Sequence, residues 1–204
     1  MAGGFKVCQS NLGVKIHDAK DPSQHLGPMF RQVIWTLFTL MERNEGKWKN
    51  VQGGVTVPTF DHPSSEEPEE VKVNLDNLIR QFKVGYGQFK ALWREIFCPE
   101  CFEQISRAAK LGRKNFHLPT PAWIQILYEL AATFHAWTHN RMNLVDLVTP
   151  LYYARVASFV RESWEMTSAE AEALVEAQAQ MFEEQKPYLI RVWEAKAGGL
   201  PHAG

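Results

Sequence analysis

The chain has 204 residues, of which 45% are hydrophobic, so it is long enough to bury the core of about one domain. Its 22 basic and 23 acidic residues nearly cancel, which argues against a nucleic-acid partner. No window approaches the roughly 18 apolar residues of a membrane span, and the start lacks the pattern of a secretory leader. Three cysteines do not suit a disulfide framework, so we expect a cytoplasmic protein with free thiols.

Two short runs rich in β-forming residues begin the chain, at residues 5–8 and 14–16, with a turn signal between them. They predict a strand pair at the amino terminus. Because two strands alone are marginally stable in water, we expect this pair to belong to a larger sheet that the chain does not contain. The uncovered apolar surface would then favour association, so a homo-oligomer is among the expected states.

The rest of the chain follows helical periodicity, and the predicted fold is mainly α with about six helices. The predicted helices run from Pro28 to about residue 44, over 75–96, from Cys98 to Leu111, from Thr120 to His135, from Leu144 to Trp164, and from Thr167 through a bend at Pro187. Asn74, Cys98 with Pro99, Thr120 with Pro121, and Thr167 with Glu170 are the predicted helix starts.

The motif Cys98-Pro-Glu-Cys101 has the spacing of half a zinc site. A structural site needs two more ligands, and the sequence contains no second cysteine pair. A redox dithiol is the other chemical interpretation, but no strand of a thioredoxin-like unit precedes it. The sequence favours Cys98 as a helix-start residue and Cys101 as an ordinary thiol.

His135 and His139 lie four residues apart in a predicted helix, where two imidazoles could share a face and hold one metal ion. A carboxylate-bridged site in a helical bundle needs matching Glu-x-x-His motifs on partner helices, and none is present. The sequence favours one histidine hydrogen-bonded in the core and the other at a helix end. A helical metal-binding protein using this pair remains an alternative.

His17 follows the end of a predicted strand and has Lys15, Lys20, Asp18 and Asp21 around it. Loops after strand ends commonly hold metal and substrate groups in α/β proteins. A neutral imidazole can bind manganese or magnesium shared with a diphosphate, and two lysines would suit the phosphate charge. From the residues alone, His17 is either such a ligand or an ordinary surface histidine.

Three blocks of the sequence resemble the carboxyl-terminal part of family-2-type glycosyltransferases. They are KIHDAKDPSQHLGPMFRQV at 15–33, MERNEGKW at 41–48 and LVTPLYYARVASFV at 147–160. The nearest functional relatives by this resemblance are the glucosyl-3-phosphoglycerate, glucosylglycerate and mannosylglycerate synthases. In that family a nucleotide-binding GT-A domain precedes a helical region. The resemblance therefore implies that residues 1–27 end a GT-A domain, 28–197 form the helical domain and 198–204 form a flexible tail.

The resemblance also implies roles for the residues near the start. His17 matches the last ligand of the family's divalent cation, manganese or magnesium, which binds the diphosphate of the donor together with an Asp-x-Asp motif. Lys15 and Lys20 match basic residues beside the donor phosphates, and Asp18 and Asp21 belong to a loop that closes over the substrates. The implied reaction is the transfer of a sugar, with retention, from a nucleotide-sugar to glycerate or a phosphoglycerate.

The sequence has no Asp-x-Asp motif and no strand-helix units that would bind a donor. We therefore expect the chain to be catalytically incomplete alone, as a split or truncated gene product or as the partner of a separate amino-terminal chain. The alternative from another class is a stand-alone helical interaction module in which His17 has no catalytic role.

Overall fold

A computed structural model of the chain describes residues 6–10, 22–54, 57–60 and 73–198. The fold of this part is mainly α, as predicted. The helices are α1 (Pro22–Arg43), α2 (Glu45–Trp48), α3 (Leu75–Ile96), α4 (Pro99–Lys110), α5 (Thr120–Ala136), α6 (Arg141–Glu162), α7 (Ser168–Glu184) and α8 (Lys186–Ala197), with a 3₁₀ turn at Arg113–Asn115. None of these helices is long and apolar enough to cross a bilayer.

The strand pair differs from the predicted one. Strand β1 (Gln9–Ser10) lies parallel to β2 (Thr59–Phe60), and residues 6–8 precede the strand without regular structure. The second predicted strand, at 14–16, lies outside the described residues. A parallel pair needs a long crossover, which α1 and α2 provide here. All four strand residues are exposed, so this small sheet adds little to the core.

Helix α1 begins at Pro22, six residues before the predicted start at Pro28. The resemblance implies that the loop over the substrates extends from Asp18 to Leu26, but residues 22–26 are helical, and the expected domain boundary after residue 27 falls inside α1. Proline suits a first turn and lacks the N–H that a helix interior uses, so the local signal favours a start at Pro28. Local chemistry gave the wrong start because the helix tolerates this proline in its interior.

Helix α6 packs against both α1 and α3. Gly85 of α3 is buried against the ring of Pro150, where an added Cβ would lie 2.3 Å from the proline Cβ. The indole Nε1 of Trp93 donates a 3.0 Å hydrogen bond to the carbonyl of Leu147. This carbonyl lies three residues before Pro150. The glycine thus lets two helix backbones approach closely.

Helix α5 is the centre of the core, and buried residues occupy most of its surface. It packs most extensively against α8. The largest fully buried side chains of the described residues, four of which belong to α5 itself, are Trp93, Trp193, Phe82, Phe116, Phe134, Leu78, Ile105, Leu118, Ile124, Ile126, Leu130 and Leu151. A helix that is apolar on every face is expected at the centre of a helical domain.

Three predicted helix starts are confirmed. The side chain of Asn74 accepts the Asn77 N–H, Cys98 is the N-cap of α4, and Thr167 with Glu170 forms a capping box. Helix α5 also begins at Thr120 as predicted, but Thr120 is its first helical residue rather than its cap, and Pro119 is in the N-cap position.

The predicted last helix is two helices. Helix α7 ends before Gln185, and Pro187 lies in the first turn of α8. A proline at this position lacks only an N–H that has no helical partner anyway, so it starts a new helix rather than bending an old one. This break and the short α2 raise the count above the predicted six.

Candidate functional site

The residues predicted for the metal and phosphate site are Lys15, His17, Asp18, Lys20 and Asp21. All five lie outside the described residues, so their roles stay predictions. The first described residue after them is Pro22, where α1 begins.

Helix α1 is fastened to α6 by aromatic contacts. The ring of Phe30 stacks on Tyr152 with centroids 4.4 Å apart and planes 12° apart. At Gly27 an added Cβ would lie 2.5 Å from the Tyr153 hydroxyl oxygen, so only glycine fits without movement. Through Gly27 and Phe30, the first block (15–33) thus contacts the third block (147–160), although more than a hundred positions separate the two blocks in the sequence.

The second block, 41–48, joins α1 to α5 and α8. The Glu42 carboxylate lies against the Arg141 guanidinium, at the start of α6, and 3.3 Å from His135 Nδ1. Trp48 packs edge-on against Trp193, with centroids 5.3 Å apart. The described parts of the three blocks therefore meet along α1: the first and second contain its two ends, and the third packs against it from α6.

Helix α1 carries more apolar surface than the other described residues bury. Phe30, Ile34 and Phe38 are buried, as expected for its core face. Four further apolar side chains, which we call the α1 outer stripe, are 47–56% exposed: Met29, Val33, Leu37 and Leu40. Their spacing of three and four residues places them along one side of the helix. A contiguous exposed apolar stripe is typical of a surface that contacts another domain or protein.

His135 and His139 do not share a helical face. Helix α5 ends at Ala136, and His139 lies beyond it, exposed, with Nδ1 2.7 Å from the Thr138 hydroxyl. The His135 ring stacks on Trp193 at 4.2 Å. One histidine is thus partly buried beside a carboxylate and the other lies past the helix end, which is the arrangement that the sequence favoured over a shared metal site. No described contact supports the metal alternative.

The Cys98-Pro-Glu-Cys101 motif forms a compact thiol pair at the start of α4. Cys98 caps the helix, and its sulfur accepts the Cys101 N–H at 3.3 Å. The two sulfur atoms are 2.7 Å apart. Cys98 is partly accessible, whereas Cys101 is fully buried. The pair therefore has one thiol that a reagent can reach and one behind it.

A buried carboxylate lies beside the two thiols. Glu129 of α5 is 5% exposed, and its Oε2 accepts the Cys98 N–H at 3.1 Å. One carboxylate oxygen of Glu129 and both sulfur atoms lie within 4.8 Å of one another. Two residues of α8 hold this carboxylate: the Tyr188 hydroxyl donates to Oε1, and Lys196 Nζ lies 3.4 Å from Oε2. We call Cys98, Cys101, Glu129, Tyr188 and Lys196 the thiol–carboxylate cluster.

Burial perturbs the titration of this cluster. Desolvation, and next the neighbouring Cys98 thiol, raise the pKa of Cys101. Desolvation, and next the hydrogen bond to Glu129, raise the pKa of Tyr188. Desolvation lowers the pKa of Lys196, while the Glu129 carboxylate opposes this shift. Three perturbed groups around one carboxylate are typical of a functional site, although structural networks also produce them.

Sequence reasoning found the two cysteines but missed their partners. Glu129 is 31 positions from Cys98, and Lys196 is 67 positions from Glu129, so no local spacing connects them. One available signal was the composition of α5, in which Glu129 is the only acidic residue among mainly apolar neighbours. A carboxylate in such a helix is expected to be buried and paired.

A surface groove of about 420 Å³ lies elsewhere in the described part. Arg113 and Arg161 line it, but Arg113 pairs with Asp76 at 2.6 Å and Arg161 donates to the carbonyls of Arg113 and Phe116. These guanidinium groups are already engaged in structural contacts. The groove therefore offers less chemistry than the thiol–carboxylate cluster.

Comparison with models of protein families, with curated proteins and with solved structures finds no match to this chain.

Proposed function

We propose that the chain is the carboxyl-terminal helical region of a family-2-type glycosyltransferase, which transfers a sugar from a nucleotide-sugar to glycerate or a phosphoglycerate. His17 is the proposed ligand of the divalent cation, manganese or magnesium, and Lys15 and Lys20 are the proposed phosphate contacts. Asp18 and Asp21 belong to the loop over the substrates. The Asp-x-Asp motif and the donor site come from a GT-A domain outside these residues, so the chain alone is inactive.

The observation that carries this proposal is the resemblance of the three blocks, at 15–33, 41–48 and 147–160, to that family. Their packing supports it, because blocks that share a function should also share a location. In this fold the described parts of the blocks meet along α1, whose first residue directly follows the segment that contains His17. The contacts of Phe30 and Gly27 with α6 would hold the end of that segment in place.

The α1 outer stripe is a suitable contact for the GT-A domain. It lies on the helix that directly follows the proposed metal-ligand loop, so a domain joined to that loop would lie near it. Covering half-exposed aliphatic side chains is worth about 25 cal/mol for each Å² of apolar surface removed from water. The stripe thus has a partner under this proposal that the described residues do not provide.

The test combines this chain with the GT-A domain encoded immediately upstream of its first codon, as one chain or as two. Sugar transfer from nucleotide-glucose and nucleotide-mannose to glycerate and 3-phosphoglycerate is measured with manganese. We expect transfer only when both parts are present. His17→Ala should reduce it about 100-fold or more, since even outer-shell metal partners contribute 10- to 100-fold. His139→Ala, which changes an exposed histidine of the same chain, should leave transfer intact.

A second pair of variants tests the α1 outer stripe. Leu37→Glu should leave the chain folded, because this side chain is about half exposed, but it should abolish assembly with the GT-A domain. Val84→Glu on α3, at 51% exposure, is the matched control and should assemble normally. Tight binding of manganese and nucleotide-sugar to this chain alone, independent of His17, would refute the assignment. An upstream sequence without an Asp-x-Asp motif would count equally against it.

A further inference from the structure

We propose that Cys98 and Cys101 are a redox-active dithiol that reduces an accessible disulfide and becomes an intrachain disulfide itself. This inference is independent of the proposed glycosyltransferase function. The sequence alone favours ordinary thiols, because no strand of a thioredoxin-like unit precedes the motif. The tertiary structure provides the features that disulfide exchange needs without that strand.

The first feature is the contact between the sulfur atoms. They are 2.7 Å apart, so formation of a disulfide bond of about 2.05 Å requires a movement of well under 1 Å. Two thiolates on one tetrahedral zinc ion, each with a bond of about 2.3 Å, would be about 3.8 Å apart. The Lys196 ammonium beside Glu129 would also repel a cation at the third ligand. The contact between the two sulfur atoms therefore suits the formation of a disulfide.

The second feature is the asymmetry of the two thiols. Cys98 is partly accessible and lies at the N-terminus of α4, where the Cys101 N–H points at its sulfur. The thiol that attacks a disulfide must be reachable from solvent. Cys101 is fully buried and cannot be reached from solvent. Cys98 is thus the attacking thiol and Cys101 the resolving thiol.

The third feature is a base near the resolving thiol. Glu129 lies within 4.8 Å of the sulfur atoms and is buried, and Tyr188 and Lys196 fix its orientation. A buried thiol must lose its proton before it can attack, and burial opposes that loss. In the resting structure the Cys101 sulfur lies 3.6 Å from Gln125 Oε1, and Glu129 is the carboxylate of the cluster to which the proton can pass after a side-chain movement.

Disulfide exchange at this pair takes place in two steps. The Cys98 thiolate attacks one sulfur of a disulfide R–S–S–R, which forms Cys98–S–S–R and releases RS⁻. Glu129 then takes the proton of Cys101, and the Cys101 thiolate attacks the Cys98 sulfur and releases the second RS⁻. The two protons pass to the released thiolates through solvent and Glu129. In sum, two protein thiols are oxidised, one disulfide is reduced, and two molecules of RSH are formed.

The test uses the full chain with Cys8→Ser, which removes the exposed third thiol. The reduced protein is incubated with oxidised glutathione, and free thiols are counted by alkylation and mass spectrometry. We expect both thiols to disappear together and to return with dithiothreitol. Cys101→Ser should stop at a mixed disulfide between Cys98 and glutathione. Cys98→Ser should leave Cys101 unreacted in the folded protein.

Glu129→Gln tests the positioned base. It should leave formation of the mixed disulfide unchanged but slow the second step by about 100-fold, the lower end of what a positioned base contributes, and alter the pH dependence of that step. Glu103→Gln, which changes an exposed carboxylate on α4, is the matched control. An unchanged second step in Glu129→Gln would overturn the role of Glu129. Thiols that remain free in oxidised glutathione, or stoichiometric zinc in the purified protein, would overturn the dithiol itself.

Discussion

Replacing Gly85 with alanine tests the close approach of α3 and α6. The new Cβ would lie 2.3 Å from Cβ and 2.4 Å from Cγ of Pro150, whereas carbon atoms in contact normally lie about 3.5–4.0 Å apart. A proline ring cannot rotate away, so the two helices must separate. Overpacking of this kind costs about 1–3 kcal/mol, and alanine returns about 1 kcal/mol of helix propensity. We expect the upper part of that range and a net loss of about 1–2 kcal/mol.

Gly87 in the same helix is the matched control. An added Cβ there meets no atom within 4 Å, so Gly87→Ala should stabilise the protein by about 0.5–1 kcal/mol. Because the propensity gain is common to both variants, their difference isolates the overpacking cost. Urea denaturation followed by circular dichroism measures both free energies of unfolding. Equal shifts in the two variants would refute the close contact between Gly85 and Pro150.

Two further predictions concern buried polar groups. Glu162 makes a two-pronged ion pair with the buried Arg155, at 2.9 and 2.7 Å, and is itself 22% exposed. Glu162→Ala should therefore reduce the free energy of unfolding, measured by urea denaturation, by about 2–4 kcal/mol. Glu103→Ala, which breaks an exposed ion pair, should reduce it by less than about 1 kcal/mol. Similar losses in the two variants would contradict the argument from burial. Burial raises the pKa of Tyr128 to about 12, above its ordinary value near 10. The folded state then keeps a proton that the unfolded state loses, so this contribution to stability is complete below pH 10 and disappears as the pH rises towards 12. Tyr128→Phe should flatten that part of the stability curve, and an unchanged slope would count against the shift.

The helix ends show which parts of the fold can be predicted from residues close together in the sequence. The caps at Asn74, Cys98 and Thr167 were predictable, because each depends on a side chain and a backbone N–H three residues away. The start of α1 was not predictable, since the helix continues through Pro28 against a local signal to begin there. The pairing of β1 with β2 was not predictable for a similar reason, because β1 pairs with residues fifty positions away.

The candidate site also contains local features, which the sequence predicts, and non-local ones, which it does not. Spacing alone identified Cys98 and Cys101 as a pair and placed them at the start of a helix, because two intervening residues and a following proline are local features. Spacing could not identify Glu129 or Lys196, which come from other helices. A non-local contact depends on how whole helices pack, and their packing depends on the shape of many side chains together.

The sequence by itself determined that this protein is mainly helical, where most helices lie and how several of them begin, because periodicity and capping act within one or two turns. Its resemblance to glycosyltransferases rests on the sequence as well, and it stays a proposal. Only the tertiary structure decided that Gly85 meets Pro150, that α1 carries an outer stripe, and that two thiols share a buried carboxylate. Those facts arise from contacts between distant segments, which form only when the helices fill space together.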